Sequence, residues 1–531
     1  MTLKGVEQAA NILLKAIHTQ ARILIVGDFD VDGATSTALA MRALPLFGAR
    51  NVSYLVPNRF NFGYGLSVAL VEAALNDKPD LIVTVDNGIS SLEGVAFARQ
   101  QGIDVLVTDH HLPGDTLPQA NAIVNPNQPH DEFASKNLCG VGVMFYLLLA
   151  LRKIMREQSR FEQLSIAEPN LAAFLDLVAL GTVADVVPLD RNNRILVSEG
   201  LKRIRHDQCC PGITALLRVA GRTPANIVAA DMGFAVGPRL NAAGRLDDMT
   251  IGIECLLAET DRAYQLAQQL NDLNLERRSI EADMKQTALE YLEHLQTENN
   301  DLFGITLFDE SWHQGVIGIL ASRVKEKMHR PVVIMAPGDE GEIKGSARSI
   351  PGIHIRDVFA AIDALHPGII VKFGGHAMAA GLTIKATGYE QFARAFDQQV
   401  ERVANEDILS PQILTDGALE TQEFDLQTVE LLENAGPWGQ GFPEPLFAGE
   451  FEVVSQRVLK DKHYKLVLKP QLAAEQENLY LDGIAFNRLE GHESDEERQL
   501  PEQIFISYRL NANEFNGRRN LQLMIDTIHT G

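Results

Sequence analysis

The sequence predicts an α/β protein in which a parallel-sheet domain is joined by a long helix to a smaller α/β domain, with a small β-barrel at the carboxyl end. Strand-like and helix-like stretches alternate from the start to about residue 190, which is typical of a parallel sheet. Apolar residues then recur at helical spacing from about residue 261 to 296. After Phe447, short runs alternate apolar and polar residues, which indicates a barrel.

The length of 531 residues is too great for one hydrophobic core and indicates several domains. We expect the parallel-sheet domain at 1–258, the connecting helix at 259–300, the smaller α/β domain at 301–405, a connector at 406–446 and the barrel at 447–531. At ~1.5 Å per residue the helix could extend roughly 50 Å and join two domains across a cleft. A coiled-coil dimer helix is the alternative, and Arg277 in its apolar register weakens that reading.

The first domain carries the clearest pattern of elements. Its predicted strands are 22–26, 52–56, 81–85, 104–108 and 122–124, with helices such as 34–44 and 92–101 between them. In parallel sheets of this kind, ligands collect outside the carboxyl ends of the strands. A second α/β pattern runs from about residue 302 to 403.

Composition excludes several classes of protein. Hydrophobic residues make up 46% and charged residues 22%, no stretch resembles a membrane span, and the amino terminus lacks a signal-peptide pattern, so we expect a cytoplasmic protein. The four cysteines form no CxxC pair and predict neither a zinc site nor a disulfide framework. The net charge of −23 argues against nonspecific attraction to nucleic acid but leaves room for a local basic channel.

Three carboxylates, Asp28, Asp30 and Asp32, stand at alternate positions directly after the first predicted strand. They would repel one another and, if buried, lose hydration, so a bound cation explains them best. A solvated turn is the alternative, because Asp and Gly are common turn residues. Further acids and histidines follow later elements of the same domain: Asp86, Asp109, His110, His111 and Asp185.

Asp185 stands in an apolar segment, where a buried acid satisfied by a backbone amide or an arginine is the alternative to a ligand. Carboxylates suit hard divalent cations, and manganese also accepts imidazole. Two such ions about 3.5 to 4 Å apart can activate a water and stabilise both oxygens of an in-line phosphoryl displacement. No Walker loop or serine elbow offers a competing chemistry. The residues therefore predict phosphoester hydrolysis.

Four segments, at 28–33, 85–88, 109–111 and 181–185, resemble in order and spacing the motifs of the DHH phosphoesterase superfamily. The Gly-Gly-His triplet at 374–376 resembles the signature of the associated domain that closes over such sites. Within the superfamily, nearly the whole chain is similar to bacterial exonucleases specific for single-stranded DNA. The resemblance implies a DHH catalytic domain, a DHH-associated substrate-binding domain and an OB-like nucleic-acid-binding barrel.

The resemblance also implies a ligand set for two divalent ions, Mn²⁺ or Mg²⁺: Asp30, Asp32, Asp86, His110 and Asp185. Asp28 and His111 complete or orient the site in this reading. Many relatives carry a histidine ligand where this chain has Val26, so Asp28 or water is the expected substitute. An amino-terminal segment common in these exonucleases is expected to be short or absent.

Phosphate-handling candidates fall in two later segments. Arg239, Asn241 and Arg245 combine cations with small neighbours, as anion recognition requires. The second set is similar in kind and consists of Ser346, Arg348, Gly374, Gly375 and His376. A helix that begins at Ala377 could point its amino terminus at phosphate. A salt bridge from Arg239 or Arg245 to the long helix, or a buried core role for His376, is the structural alternative.

The resemblance implies that arginine and serine of the associated domain hold the 5′-phosphate end, while the histidine contacts phosphate near the metal ions. Arg59 and Tyr64 stand among aromatics that could stack bases near the sheet edge. Basic residues of the barrel, such as Arg457, Lys465 and Arg518, could form a positive groove, and a solvated strand face explains them almost as well.

Residues and resemblance together predict a metal-dependent exonuclease that degrades single-stranded DNA from 5′ to 3′ by a two-metal mechanism, in recombination and repair. Single-strand-binding protein and a recombination helicase are the implied partners, and a monomer is expected. Two alternatives stay open. One is a DHH phosphodiesterase of short oligonucleotides or cyclic dinucleotides, and the other is a non-catalytic single-strand-binding scaffold.

Overall fold

A computed structural model describes residues 2–57, 65–297, 302–339, 341–471, 479–489, 498–515 and 518–530, without the side chains of 294–297 and 515. In these ranges, no helix has both the length and the apolar character needed to cross a membrane. The predicted fold class is confirmed: the described chain forms a parallel-sheet domain, a long helix, a second α/β domain and a closed barrel.

The first domain is built on a parallel sheet of strand order β2-β1-β3-β4-β5. The elements along the chain are α1 (Val6–Thr19), β1 (Ile23–Val26), α2 (Val31–Ala43), β2 (Val52–Leu55), α3 (Val68–Ala74), β3 (Leu81–Val85), α4 (Leu92–Gln100), β4 (Asp104–Thr108) and β5 (Ala122–Val124). Every residue of β1 and β3 is buried, which explains their unbroken apolar runs. The predicted strands are confirmed to within one residue.

A helical layer follows, which the sequence analysis did not resolve. It contains α5 (Gly140–Glu157), α6 (Arg160–Leu164), α7 (Leu175–Ala184), α8 (Arg191–Arg205), α9 (Pro211–Val219), α10 (Ala229–Asp231), a π-helical turn (Met232–Val236), α11 (Gly237–Leu246) and α12 (Thr250–Leu257). Helix α7 is apolar on all sides and packs against α2, α5 and α8, so its carboxyl end is held deep in the domain.

The long helix is α13 (Thr260–Thr297), and the prediction of one helix here is confirmed. It packs on α9, α11 and α12 of the first domain and on α14 (Ile317–Met328) of the second, so it joins the two. Arg277 is only 9% exposed although it stands in the apolar register, because its guanidinium pairs with Glu281 one turn later.

The second domain has strand order β6-β7-β8-β10-β9, with β6 and β7 parallel and the other pairs antiparallel. Besides α14, its elements are β6 (Ile305–Phe308), β7 (Val332–Pro337), β8 (Glu342–Arg348), α15 (Ile355–Leu365), β9 (Ile370–Gly375), β10 (Ala379–Lys385) and α16 (Tyr389–Val403). The helix predicted from Ala377 is wrong. The His376 amide donates to Ala379 O at 2.8 Å, which closes a turn, and β10 then pairs with both β8 and β9.

The connector contains α17 (Glu406–Leu409) and α18 (Leu426–Ala435). After α18 the chain packs back on the first domain. Leu189 N donates to Gln440 O at 2.7 Å, and the Arg194 guanidinium lies 3.9 Å from the centre of the Phe442 ring. This contact lies a few residues beyond Asp185, the acid that follows α7.

The barrel closes in the order β11-β12-β13-β15-β14, and the prediction of a terminal barrel is confirmed. Its strands are β11 (Phe447–Leu459), β12 (His463–Pro470), β13 (Leu481–Ala485), β14 (Gln503–Phe515) and β15 (Arg518–His529). In β12, buried and half-buried residues alternate with period two because one face of the strand lines the barrel core.

Candidate metal centre and phosphate pocket

The carboxyl edge of the first sheet brings the predicted acids and histidines together. Asp28, Asp30 and Asp32 follow β1, Asp86 follows β3, and His110 and His111 follow β4, while Asp185 caps the end of α7. Asn87 ties two of these strand ends, since its side-chain amide donates to Val26 O at 3.1 Å and to Val85 O at 2.9 Å. The register of the parallel sheet and the position of α7 therefore assemble the cluster from four separate segments of the chain.

His110 lies at the centre of this cluster. Its Nε2 lies 3.1 Å from Asp86 Oδ1, 3.5 Å from Asp185 Oδ2 and 3.9 Å from Asp32 Oδ2. Within the described ranges, three groups of potential ligand atoms each lie within 4.8 Å of one another: Asp86 with His110 and His111, Asp32 with His110 and Asp185, and Asp28 with Asp30 and Asp86. Since Asp86 and His110 each belong to two groups, the groups are contiguous.

Burial shifts the pKa values of the acids and of His110 in this cluster. Burial first, and then the charge of Asp30, raises the pKa of Asp32 to about 7. Burial and neighbouring carboxylates raise the pKa of Asp86 and of Asp185 well above the ordinary range. Burial, helped by the charge of His111, lowers the pKa of His110 to about 3, so this imidazole is neutral and cannot compensate the acids.

A divalent ion fits these donors. In the described part of the chain, His110 Nε2 and Asp185 Oδ2 are buried and have no hydrogen-bond partner, an arrangement that is costly unless something else binds them. Carboxylate oxygens and one neutral imidazole nitrogen are the ligand types that Mn²⁺ accepts, and Mg²⁺ favours the oxygens.

Asp109 supports the two histidines. Its Oδ1 accepts from the His110 and His111 amides at 2.7 and 3.0 Å and lies 2.7 Å from His111 Nδ1, while its Oδ2 accepts from Ile89 N. Burial alone would lower the pKa of His111, but the hydrogen bond to Asp109 and nearby acids raise it to about 9. Burial alone would raise the pKa of Asp109, but the same bond, the charge of His111 and the Ile89 amide together lower it. Asp109 thus orients the His111 imidazole and fixes the backbone that carries His110, as carboxylates behind the metal ligands do at metal sites.

The start of α5 forms one wall of the centre, and sequence reasoning missed it. Val141 N donates to Asp32 Oδ1 at 2.9 Å, and Gly140 N donates to Asp32 Oδ2. A Cβ on Gly140 would lie 2.5 Å from Asp86 Cβ. The available signal was the Gly140-Val141-Gly142 run at the start of an apolar helix, where exposed amides favour a carboxylate.

Next to β1, Asp28 is placed to act as a metal ligand and Val26 is not. Val26 is fully buried inside β1, so its position offers no ligand. Asp28 is 4% exposed and belongs to the ligand group with Asp30 and Asp86. Asp30 also accepts from Gly33 N at 3.1 Å as the cap of α2, which fixes one of its oxygens.

A cavity of about 910 Å³ contains the predicted serine and arginine of the second domain. Ser346, Arg348 and Gly374 line it, together with Arg245 from the first domain. Arg348 donates to Ser346 Oγ at 3.1 Å, and burial lowers the pKa of its guanidinium. Arg245 donates to Gly315 O at 3.1 Å across the two domains. The two domains therefore share one cationic pocket.

The remaining candidates are placed as follows. His376, in the turn after β9, has its pKa lowered by burial and then by the charge of His111. Gly375 precedes it with φ of +141°. Arg239 and Asn241 line a different cavity, and the Arg239 side chain bonds neutral Asn271 of α13. Arg59 and Tyr64 lie outside the described residues.

Comparison with known proteins identifies the domains of this chain. Residues 22–182 match the model of the DHH family, N-terminal domain, residues 301–403 match the DHHA1 domain, and residues 415–527 match the RecJ OB domain. Fold and site thus define a DHH-type protein with its associated domain. The chain belongs to the RecJ family.

The sequence similarity to these relatives extends over nearly the whole chain. It is 50% identical over 528 residues to the Salmonella typhimurium single-stranded-DNA-specific exonuclease RecJ, covering 99% of this chain and 90% of that protein. It is 34% identical to the Thermus thermophilus RecJ, covering 89% and 68%. The crystal structure of Thermus thermophilus RecJ in complex with Mn²⁺ matches with a TM-score of 0.81 at 29% identity, covering 100% of this chain and 72% of that one.

Adding Mn²⁺ to metal-free protein is expected to stabilise the first domain, because the ion relieves repulsion between buried acids. A ligand at 100 times its Kd stabilises by about 2.7 kcal/mol, so we expect the first thermal transition to rise by several degrees. Calorimetry with and without a chelator measures this. An equal rise in an Asp32→Asn, Asp86→Asn double variant would contradict binding at this cluster.

Proposed function

We propose that this protein is a metal-dependent exonuclease that hydrolyses single-stranded DNA from 5′ to 3′, in recombination and repair. The observation that carries the proposal is the buried acid and imidazole cluster, which adjoins a cationic pocket shared by two domains. Membership of a family whose curated relatives are named single-stranded-DNA-specific exonucleases supports the substrate.

We propose two divalent ions, Mn²⁺ or Mg²⁺, as the cofactors. The donors that would hold them are Asp28, Asp30, Asp32, Asp86, His110 and Asp185, with His111 beside them. Bound there, the ions would lower the pKa of a water and stabilise the charge that develops on phosphate oxygens. Asp109 keeps the His111 imidazole oriented and holds the backbone of His110, and the amides of Gly140 and Val141 fix Asp32.

Strand polarity follows from where the terminal phosphate binds. Ser346 and Arg348 offer a hydroxyl and a buried guanidinium to a 5′-phosphate, and Arg245 reaches the same cavity from the first domain. We assign to His376, whose pKa is affected by the charge of nearby His111, the contact with the phosphate group next to the scissile bond. A strand anchored in this way would present its first internucleotide linkage to the metal centre.

We assign one role to each proposed domain. Residues 1–258 carry out catalysis, 259–300 form the connecting helix, 301–405 bind substrate, 406–446 form a connector, and the OB-like barrel at 447–531 binds nucleic acid. We further propose a cytoplasmic monomer that acts with single-strand-binding protein and a recombination helicase. These partners rest on the repair role of the family and are tested by pull-down with the purified proteins.

Substrate choice tests the proposal. With Mn²⁺, purified protein should degrade a labelled 40-mer single strand much faster than the same sequence as a blunt duplex or a dinucleotide. Dinucleotides cut as fast as the long strand would indicate an enzyme of short oligonucleotides or cyclic dinucleotides. Binding without any cleavage would indicate a scaffold.

Arg348→Ala is expected to reduce the preference for a 5′-phosphorylated end over a 5′-hydroxyl end, because its guanidinium is the proposed partner of that phosphate. A charged hydrogen bond of about 1.5 to 3 kcal/mol corresponds to roughly a 10- to 150-fold loss in kcat/KM on the phosphorylated strand. Arg394→Ala, which removes an exposed guanidinium paired with Glu390, is the control. An equal loss on both kinds of end would oppose the assignment.

A further inference from the structure

A second cavity, of about 610 Å³, lies between α11, α13 and α14, and Arg245 lines both this cavity and the Ser346–Arg348 pocket. We call it the arginine groove. Among the described residues that line it, one acid, Glu281, stands against six cations: Arg239, Arg245, Arg277, Arg278, Lys285 and Arg323. In a chain of net charge −23, this is a local reversal of sign.

The positive charge of the groove is only partly compensated. Glu281 pairs with both Arg277 and Arg323, and Arg323 also pairs with Glu326. Arg239 instead donates to two neutral acceptors, Asn271 Oδ1 at 3.1 Å and Ala235 O at 2.6 Å. A bound anion would lower the mutual repulsion of these guanidiniums, and phosphate is an anion whose geometry arginine matches with paired hydrogen bonds.

An exposed aromatic ring stands at the rim of the same groove. Phe234 is 86% exposed and belongs to the π-helical turn Met232–Val236. A single exposed apolar residue is ordinary, but π-helical turns are frequent at functional sites, and this ring lies beside arginines. Aromatic rings next to cations are the surface on which single-stranded nucleic acids stack their bases.

The groove is close to the metal centre. A Cβ on Gly237, directly after the π-helical turn, would lie 3.3 Å from Ala184 Cβ, next to Asp185. A Cβ on Gly244 would collide with Phe29 O, between Asp28 and Asp30. Helix α11 therefore packs on two of the metal-ligand segments, and the same helix lines the groove.

We propose that the arginine groove binds one nucleotide unit, with its phosphate on Arg239 and Arg278 and its base stacked on Phe234. The inference rests on the proposed exonuclease function. The unit has two sources with the same chemistry: a nucleotide of the bound strand beyond its anchored end, or the mononucleotide that cleavage releases. The residues proposed to bind it, Arg239, Arg278 and Phe234, belong neither to the metal centre nor to the Ser346–Arg348 pocket.

Binding of fluorescent oligothymidylate to an uncleaving Asp86→Ala protein tests the strand. Stacking of a base on an aromatic ring is worth about 1 to 3 kcal/mol, so Phe234→Ala should weaken binding about tenfold, and Phe234→Tyr should restore it. Arg278→Ala should lower the slope of log affinity against log salt by about 0.7. Leu414→Ala, with equal exposure, and Arg262→Ala, on the same helix, are the matched controls and should change neither quantity.

Inhibition of the otherwise unmodified enzyme by thymidine 5′-monophosphate tests the product. If the groove holds the released nucleotide, Phe234→Ala and Arg278→Ala should each raise the half-inhibitory concentration about tenfold. An effect in either experiment supports the proposed groove and identifies the source of the bound nucleotide. Wild-type values in both experiments overturn the proposal. Absence of cleavage by the wild type would instead refute the proposed function, because the strand-binding experiment does not need cleavage.

Discussion

Asp86→Ala is expected to reduce cleavage of single-stranded DNA to below a few per cent of wild type while leaving strand binding largely intact. Its carboxylate lies 3.1 Å from His110 Nε2 and belongs to two of the three potential ligand groups, so its loss affects both metal positions. Strand binding depends on cationic groups elsewhere and should change little. Single-turnover cleavage with Mn²⁺, beside fluorescence anisotropy of the same oligonucleotide, measures the two effects separately.

Asp80→Ala is the matched control for Asp86→Ala. Asp80 stands just before β3, at the opposite end of the strand from Asp86, and its exposed carboxylate pairs with Arg22. Such surface pairs contribute little, so this variant should cleave like wild type. Asp86→Ala protein that keeps more than a few per cent of activity would remove Asp86 from the proposed ligand set.

Gly140→Ala is expected to lower activity at least 100-fold, although it adds only one methyl group. The new Cβ would lie 2.5 Å from Asp86 Cβ and 2.8 Å from Asp86 Cα, so the backbone that bears a metal ligand must move. The shift would also disturb the amide that Gly140 donates to Asp32. Overpacking of this kind costs about 1 to 3 kcal/mol of stability, so the fold should survive and the metal site should not.

Isothermal titration with Mn²⁺ and thermal unfolding of the same sample separate these outcomes for Gly140→Ala. Gly142→Ala is the control, because its Cβ would meet the flexible Leu138 side chain at 3.0 Å and no metal ligand. Wild-type Mn²⁺ affinity in Gly140→Ala would show that the wall formed by α5 does not position the ligands.

The metal centre was largely predictable from sequence because parallel sheets order their loops. Each acidic cluster follows a strand whose apolar run is readable, and the carboxyl ends of parallel strands share one edge. Asp86 and His110 could therefore be expected to meet although they are distant in sequence. Asp185 was harder, since it follows a helix, and only its apolar setting indicated that its charge required a partner.

Other features depended on tertiary contacts that no local pattern encodes. The small residues after His376 are compatible with a helix start, and only pairing with β8 and β9 makes them a strand. Gly140 carries no side chain, so its contact with Asp86 leaves no signal beyond its position at a helix start. Arg239 and Arg348 look alike in sequence, yet the structure places them in different cavities.

The polarity of degradation tests the central claim most directly, because it requires the metal centre and the terminal phosphate pocket to act on one strand. A single-stranded 40-mer with one label at the 5′ end and another at the 3′ end, incubated with Mn²⁺, separates the two directions. We predict that the 5′ label appears at once as a mononucleotide while the 3′ label shortens through a ladder of intermediates. Immediate release of the 3′ label as a mononucleotide, or internal cuts that free neither label first, would contradict the account.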